Sequence, residues 1–322
     1  EGNGGMVNVN ASGGSGKTFL MDIILQQVRR EHGTVIVVAS TGIAATLLEG
    51  GRTAHSTFKI PLNLKISEVE TRRCGITAQS NDAAQIRAAK LIIWDEAGAV
   101  SRVAIEVVDR TLRDLLRKDI PFGGIPILFG EDFRQILPIV QRGTRANTLD
   151  EVLIQSLLWP MMTKFTLTGN RRLNEDRTGF AQLLLDVGEG RGDFTPDADG
   201  GIILPEDICF PHNATMEDIV RYVFPSLVDL TFEDLADRAI LAPCNKEVRE
   251  INNFIIDRFP GEAKTYQSID EMPDENQATL FPAEFLNSLE LSGMPPHRLT
   301  LKKGVVIMMM RNLAPPRLCN GT

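Results

Sequence analysis

Residues 11–18, Ala-Ser-Gly-Gly-Ser-Gly-Lys-Thr, constrain the fold of this chain more than any other stretch. They follow a strand-like run at residues 6–9 and precede an amphipathic run at residues 19–28 that predicts a helix. A glycine-rich turn between a strand and a helix presents several backbone N–H groups to one anion, and the helix N-terminus adds its partial positive charge. The stretch therefore predicts a phosphate-binding loop. The alternative is a glycine-rich loop that caps an ordinary helix.

Each residue of this loop has an expected role. The backbone of the turn forms the phosphate cradle, which consists of Gly13, Gly14, Ser15 and Gly16. Lys17 is expected to reach the β- and γ-phosphates of a nucleotide, and the Thr18 hydroxyl to ligate Mg²⁺. The pattern usually begins with glycine, and Ala11 in that place is a tolerable variation.

Composition limits the class of protein and its partners. The chain has 322 residues, 43% of them hydrophobic, which is typical of a soluble globular protein with about two domains. Its net charge of −8 gives no general basic signature, so a nucleic acid would have to bind in a local basic groove. Its four cysteines form no C-x-x-C pair, which argues against a disulfide framework and a zinc site. No apolar run is long enough to span a bilayer and no signal peptide is recognisable, so we expect an intracellular protein.

The first half of the sequence alternates apolar runs with helical patterns. Further strands are predicted at residues 34–39, 91–94, 125–129 and 164–167, and helices at residues 42–48 and 102–116. Strands that are apolar on both faces predict a parallel sheet covered by helices on each side, an α/β fold. The first strand fits this pattern less well, because Asn8 and Asn10 are polar.

The remaining segments suggest an insertion, a connection and a second α/β unit. Residues 51–89 lose the periodic pattern and predict a small insertion, whereas residues 189–205 are rich in Gly, Asp and Pro and predict an exposed connection. The second unit is predicted from a strand at residues 238–243, a helix at 246–258 and a strand at 304–310.

An acidic pair follows the predicted strand at residues 91–94. Asp95 and Glu96 would lie at the carboxyl end of a parallel strand, facing the crevice in which such sheets bind ligands. Asp95 is expected to hold Mg²⁺ and Glu96 to polarise the attacking water. Two solvated carboxylates in a loop would be the commoner outcome without a phosphate-binding loop, but its presence favours the catalytic interpretation.

Two later strand ends carry residues that suit a γ-phosphate. Gln135 could hydrogen-bond the nucleophilic water or the γ-phosphate, or it could merely belong to a polar turn and cap a helix. Arg172 could bind a γ-phosphate across a cleft, because guanidinium binds phosphate in a bidentate manner. An exposed basic pair with Arg171 is the alternative for this residue.

Residues after the second strand suit contacts to a single nucleic-acid strand. Ser40, Thr41 and His55 offer hydrogen bonds to phosphates, and Phe58 offers a ring for stacking. A helix N-cap at Ser40 or Thr41 and a structural role for His55 are the simpler alternatives.

Together these segments resemble the PIF-one-type DNA helicases of superfamily one B, especially the eukaryotic branch related to Helitron transposon helicases. The matching strings lie at residues 13–18, 39–48, 50–56, 91–97, 109–114, 132–138, 240–245, 301–304 and 318–322. The resemblance implies RecA-like domains that close on Mg·ATP and step along single-stranded DNA in the 5′ to 3′ direction. It gives Lys17, Glu96, Gln135 and Arg172 catalytic roles, Thr18 and Asp95 the metal, and Ser40, Thr41, His55 and Phe58 the DNA.

The resemblance also implies a division of the chain and a setting. We expect a RecA-like ATP-binding domain at residues 1–170, part of a second one at 171–297, and the start of an SH3-like barrel at 298–322. Duties in DNA repair, recombination and telomere maintenance, in the nucleus or the mitochondrion, are implied as well.

The chain departs from the family pattern at both ends, at Asn8, Asn10 and Ala11 before the phosphate loop, and at two later positions. Gly98 and Glu131 stand where the family usually has a proline-containing sequence and a small residue. An adenine-recognising glutamine segment and the later family motifs are missing, so we expect a truncated helicase with impaired unwinding. The alternatives are a non-catalytic nucleotide- or DNA-binding remnant of a transposon-derived gene and a P-loop NTPase unrelated to DNA.

Overall fold

The computed structural model describes residues 5–62, 64–140, 143–173, 178–196, 200–270, 283–289, 294–310, 313–314 and 317–318. It divides into two compact units, one up to Ile203 and one from Leu204. The strands of the first unit are β1 (Met6–Ala11), β2 (Val35–Ala39), β3 (Arg52–Thr53), β4 (Leu91–Asp95), β5 (Ile127–Glu131) and β6 (Thr163–Leu167). Its α-helices are α1 (Lys17–His32), α2 (Gly42–Thr46), α3 (Ala54–Phe58), α4 (Asn81–Ala88), α5 (Arg102–Leu116), α6 (Arg145–Asp150) and α7 (Thr178–Glu189).

The six strands form one parallel sheet in the order β3-β2-β4-β5-β1-β6. The predicted α/β fold is therefore confirmed, and each strand predicted in this half lies within two or three residues of an observed one. Strand β1 is internal, since it pairs with β5 on one side and with β6 on the other. The loop between β1 and α1 therefore starts at an internal strand of the sheet.

Helices cover both faces of the sheet, because the strands alternate between two apolar clusters. On one face α5 contributes the buried side chains Val103, Val107, Val108 and Leu112 to the larger cluster. On the other face α1 contributes Met21 and Leu25 to the smaller cluster. The apolar side of each helix therefore faces the sheet, and helices cover both sides of the sheet as predicted.

The polar residues of β1 are buried despite their chemistry. Asn8 is 1% exposed, and its side-chain nitrogen has no hydrogen-bond partner among the described residues. The side-chain oxygen of Asn10 is likewise buried without a partner there. A buried polar atom without a hydrogen bond is costly, so these two residues weaken a strand whose position is set by its neighbours.

The segment predicted as an insertion contributes to the sheet and to its core. Strand β3 extends the sheet beside β2, and Phe58 and Ile86 belong to the larger apolar cluster. The first compact unit also continues past residue 170, because Arg134 forms an ion pair with Glu189 at the end of α7. The domain boundaries given above stay a prediction.

The second unit contains α8 (Met216–Val223), α9 (Phe232–Ala236), α10 (Asn245–Arg258), β7 (Ala263–Gln267), α11 (Ala283–Ser288) and β8 (Arg298–Lys302). Helix α10 confirms the helix predicted at residues 246–258. Strands β7 and β8 pair antiparallel. Residues 319–322, the end of the predicted barrel, lie outside the described residues.

The two strands predicted in this half are wrong. Residues 238–243 form no strand, and Leu241 is 93% exposed. Residues 304–310 are also irregular, because Gly304, with φ near +98°, turns the chain directly after β8. A strand needs a partner for its backbone hydrogen bonds, and β7 pairs with residues 298–302 instead. No helix within the described ranges is long and apolar enough to cross a membrane.

Phe58 provides a test of the core. Its ring is fully buried and stacks on Trp94 with the ring centroids 5.8 Å apart. We expect Phe58→Ala to lower the free energy of unfolding by about 3–5 kcal/mol, through lost burial and the cavity left behind. Phe19→Ala is the matched control, because Phe19 is 71% exposed and its loss should change stability by about 0.5 kcal/mol or less. Urea unfolding measures the free energy of unfolding of both variants. Equal decreases in the two variants would contradict the packing described.

Candidate functional site

The predicted site residues lie mainly in the loops at one edge of the sheet. Parallel strands place their carboxyl ends together, and ligands of open α/β sheets bind at this edge. The loops after β1, β2, β4, β5 and β6 carry the phosphate-loop pattern, Ser40, Glu96, Gln135 and Arg172, respectively, and Asp95 is the last residue of β4. Short helix α3, after β3, carries His55 and Phe58.

The loop between β1 and α1 has the backbone of an anion cradle. Gly14 and Gly16 have φ angles of +85° and +91°, which L side chains rarely adopt. The Ser15 backbone N–H and hydroxyl donate to the Ser12 carbonyl at 3.1 and 2.6 Å, which closes the turn. Helix α1 begins at Lys17 without a side-chain cap or an acidic residue in its first turn. Its N-terminal N–H groups are therefore available to a ligand anion.

Lys17 and Asp95 form a largely buried ion pair under this loop. Their side chains are 14% and 2% exposed, and the Lys17 ammonium donates directly to Asp95 Oδ1. Strand β5 lies between β1 and β4, so the pair passes over the end of β5 at Gly130. A Cβ added at Gly130 would lie 2.8 Å from Asp95 Oδ1 and 3.2 Å from Lys17 Cδ. Because glycine has no side chain, Gly130 leaves space for the Lys17–Asp95 ion pair.

Glu96 begins a short turn after β4. Its backbone is left-handed, with φ 53° and ψ 37°, and its N–H donates to Asp95 Oδ1 at 2.9 Å. The Glu96 carbonyl accepts from the Ala99 N–H at 3.1 Å and so closes the turn. The Thr41 hydroxyl donates to Glu96 Oε2 at 3.3 Å. A residue of the predicted DNA-binding set thus contacts the predicted general base.

The segment after β6 is tied to the phosphate loop. The Arg171 backbone N–H donates to the Gly14 carbonyl at 2.7 Å, and the Asn170 side chain donates to the Gly13 carbonyl at 3.3 Å. Asn170 Oδ1 also accepts from the Arg172 N–H at 2.9 Å. Arg172 is therefore placed beside the loop, with its side chain exposed.

No role is predicted for Asn170 from the sequence, although the structure gives it one. An asparagine that starts a turn commonly hydrogen-bonds the backbone two residues later, and this preference is the sequence signal that indicates such a role.

Gln135 lies in an exposed turn after β5. Its backbone N–H donates to the Asp132 carbonyl at 3.0 Å and its side chain donates to Asp132 Oδ2 at 3.3 Å. No helix follows within residues 136–140, so the helix-capping alternative does not hold. The structure gives Gln135 no contact with Lys17 or Asp95. Its γ-phosphate role stays a prediction.

Glu131, the last residue of β5, is a fully buried carboxyl near this site. Neither of its oxygens has a partner of full hydrogen-bond geometry among the described residues. Burial raises its pKa to about 8, although the Lys17 ammonium and the Gly98 backbone N–H act in the opposite direction. The Asp95 carboxylate adds to the increase.

The predicted DNA-binding residues divide between the surface and the core. Thr41 caps α2 by accepting from the Ala44 N–H at 3.2 Å, and Ser40 Oγ accepts from Trp94 Nε1 at 3.3 Å. His55 is half-buried, and burial lowers its pKa, which favours the neutral imidazole. Phe58 requires a correction: its ring is fully buried against Trp94, so it has no surface on which a base could stack.

The donor set suits Mg²⁺ bound together with phosphates. No group of three His, Cys, Asp or Glu residues with metal-binding geometry occurs in the part of the chain that the structure describes. Mg²⁺ in nucleotide sites usually takes only one or two protein oxygens, and the remaining ligands are phosphates and water. The Thr18 hydroxyl and the Asp95 carboxylate are oxygens of this kind.

Comparison with known proteins gives a family match over most of the chain. Residues 1–198 match the PIF1-like helicase family, and residues 284–322 match the family of the DNA helicase Pif1 2B domain. Among curated relatives, the ATP-dependent DNA helicase RRM3 of Saccharomyces cerevisiae is 23% identical over 97% of this chain, which covers 38% of that relative. The chain spans about two fifths of the length of the first curated relatives it matches.

Solved helicase structures share the fold. The Pif1 helicase from Candida albicans has a TM-score of 0.66 at 23% identity, covering 99% of this chain and 64% of that one. The Pif1 helicase from Bacteroides in complex with ADP-AlF3 and ssDNA has a TM-score of 0.59 at 20% identity, with 92% and 60% of the two chains covered. At these sequence identities the structural similarity shows a shared fold and nothing beyond it.

Gly14 provides a test of the phosphate loop. A Cβ at this position would lie 2.6 Å from Asn170 Oδ1 in a backbone conformation that costs a side chain about 1–3 kcal/mol. We expect Gly14→Ala to weaken binding of a fluorescent ATP analogue by about tenfold or more. The control is Gly5→Ala, before β1 and at the opposite end of that strand from the loop, where the new methyl group meets nothing within 4 Å, so its affinity should stay within about twofold of the wild type. Equal affinity in the two variants would contradict the loop geometry.

Proposed function

This chain belongs to the PIF1-like helicase family, and we propose that it hydrolyses ATP to move along single-stranded DNA in the 5′ to 3′ direction. The observation that carries the proposal is the buried Lys17–Asp95 ion pair beneath the glycine loop, with Glu96 adjacent. A phosphate-binding lysine, a metal-binding carboxylate and a carboxylate base are the groups that nucleotide hydrolysis requires.

The nucleotide is held by the loop and the start of α1. The backbone of residues 13–16 cradles the phosphates, as the positive φ angles of Gly14 and Gly16 permit. The Lys17 ammonium is paired with Asp95 in the structure. The phosphates of ATP compete with Asp95 for this ammonium, because both are anions. Binding therefore exchanges one ion pair for another.

The hydroxyl of Thr18 and the carboxylate of Asp95 would hold Mg²⁺, as the family resemblance implies. When bound, Mg²⁺ neutralises phosphate charge and orients the phosphate chain. The protein supplies hard oxygen donors at the end of β4 and the start of α1, which fits this ion.

Glu96 acts as the general base that takes a proton from the attacking water. Its carboxylate is half-buried and held by the Thr41 hydroxyl at 3.3 Å. Arg172, beside the loop, and Gln135, after β5, sense the γ-phosphate. Asn170 positions the arginine, because it bonds both the Arg172 N–H and the Gly13 carbonyl.

Single-stranded DNA contacts Ser40, Thr41 and His55. The neutral His55 side chain serves as a hydrogen-bond donor to phosphate or base rather than as a cation. Thr41 connects DNA to hydrolysis, because it caps α2 and also bonds Glu96. Phe58 supports this surface from the core by packing on Trp94. A DNA strand bound at α2 would thus affect the general base, Glu96, through Thr41.

The cellular duty we propose is the processing of nuclear or mitochondrial DNA, in repair, recombination and telomere maintenance. Residues 298–322 are proposed to begin the small barrel of the second domain, in keeping with the family match over residues 284–322. Partners are ATP and single-stranded DNA.

Two variants separate binding from hydrolysis. Lys17→Ala should abolish both, because it removes the ammonium that holds the phosphates. Glu96→Gln should leave ATP affinity within about twofold and lower turnover by about 10²–10⁴-fold, the usual effect of removing a general base. Turnover is measured with and without an oligo(dT) strand, and affinity with the fluorescent analogue.

Turnover and binding assays on the wild type distinguish this proposal from its alternatives. Turnover that rises with oligo(dT) supports a DNA-dependent motor. ATP binding without hydrolysis would point to a non-catalytic remnant. Failure to bind oligo(dT) even at low salt would point to an NTPase unrelated to DNA, because phosphate contacts strengthen as salt falls.

A further inference from the structure

Glu131 is unusual for a carboxyl in the interior of a sheet. It lies on the face of β5 that also carries Ile127 and Phe129, two fully buried members of the larger apolar cluster. It is fully buried itself, and its oxygens lack partners of full geometry among the described residues. Such a residue costs stability. Apolar packing alone does not account for it.

The carboxyl group of Glu131 lies against the turn that follows Glu96. A Cβ added at Gly98 would lie 2.5 Å from Glu131 Oε2, which is closer than real Cβ atoms approach other atoms, and 3.6 Å from Glu131 Cδ, which is an ordinary contact. Gly98 is the middle residue of the Ala97–Ala99 segment, which the Ala99-to-Glu96 hydrogen bond closes. The absence of a side chain at Gly98 is what leaves room for Glu131.

Gly98 and Glu131 lie far apart in the sequence, and the structure brings them into contact. The glycine admits the carboxyl group, and the carboxyl group fills the space beside the glycine.

Burial raises the pKa of Glu131 to about 8, which favours the neutral, protonated acid. The charged groups that act on it are Lys17, from α1, and Asp95, from β4. A neutral carboxylic acid does not disturb the Lys17–Asp95 pair. Its cross-strand neighbour Asn10 has a buried side-chain oxygen that lacks a partner in the described structure, an acceptor on the same face of the sheet.

We propose that Glu131 is a positioning residue that supports the Glu96–Ala99 turn through Gly98 and so fixes the general base relative to the nucleotide. The proposal rests on the proposed function, because it assigns Glu96 the role of base. Glu131 acts through the turn and not on the reacting atoms. It acts by occupying the space under the turn, where a displacement of the base by about 1 Å costs a large factor in rate.

The test is a rescue experiment on the whole chain. Gly98→Ala pushes the turn away from Glu131, so kcat for ATP with saturating oligo(dT) should fall about tenfold or more. Affinity for the fluorescent ATP analogue should change less than about twofold, because the loop and Lys17 are untouched. Glu131→Ala alone empties the space under the turn, so it should also lower kcat, and an unchanged kcat would refute the positioning role. Combined with Gly98→Ala, it makes room for the methyl group, which fills part of that space, so the double variant should recover part of the lost kcat.

Two controls accompany the rescue. Glu131→Gln matches the neutral acid in size and should keep kcat within about twofold of the wild type. Ile127→Ala removes a buried side chain from the same face at the far end of β5, so it should lower stability without changing kcat at a temperature where the chain is folded. Urea unfolding should show Gly98→Ala to be destabilising in the wild type and nearly neutral beside Glu131→Ala.

The outcomes separate this inference from the function on which it rests. If the wild type hydrolyses ATP but the double variant is as slow as Gly98→Ala, or Ile127→Ala loses as much kcat, the positioning role is refuted and the proposed function stands. If the wild type shows no hydrolysis at all, the proposed function fails and this inference fails with it.

Discussion

The ion pair between Lys17 and Asp95 is the interaction on which the site depends. Burying two opposite charges is an inefficient way to stabilise a fold, because desolvation offsets much of their attraction. A pair whose side chains are 14% and 2% exposed therefore calls for an explanation beyond stability. The competition proposed above, between this carboxylate and nucleotide phosphates for one ammonium, would give that explanation. On this proposal the pair holds both groups in place until the nucleotide binds Lys17.

The sheet order makes this pair possible. Strand β5 separates β1 from β4, so Lys17 must reach across a strand to meet Asp95. Gly130 near the end of β5 leaves that path open, since a side chain there would collide with Met21 and Asp95 and crowd Lys17. Gly98 similarly leaves space for Glu131 under the next turn. Two glycines thus determine where the charged groups of the site can lie.

Much of the first half was predictable from sequence, because its strands are continuous apolar runs and its loops carry spaced motifs. The predictions that failed depend on distant partners. Residues 304–310 have the composition of a strand, but β7 pairs with residues 298–302 instead. Phe58 lies in a segment predicted to bind DNA, yet its ring packs on Trp94. Nothing local to Glu131 or Gly98 indicates their contact. The site was predictable as a set of loops and not as a set of contacts.

Binding of a fluorescent ATP analogue, with Mg²⁺ and with EDTA, to the wild type and to Asp95→Asn tests the central claim most directly. If Asp95 competes for Lys17 and also holds Mg²⁺, the variant should bind metal-free nucleotide at least as tightly as the wild type. Mg²⁺ should then strengthen binding to the wild type by about tenfold, or about 1.4 kcal/mol, and have little effect on the variant. An equal effect of Mg²⁺ on both proteins, or weaker metal-free binding by Asp95→Asn, would contradict the account.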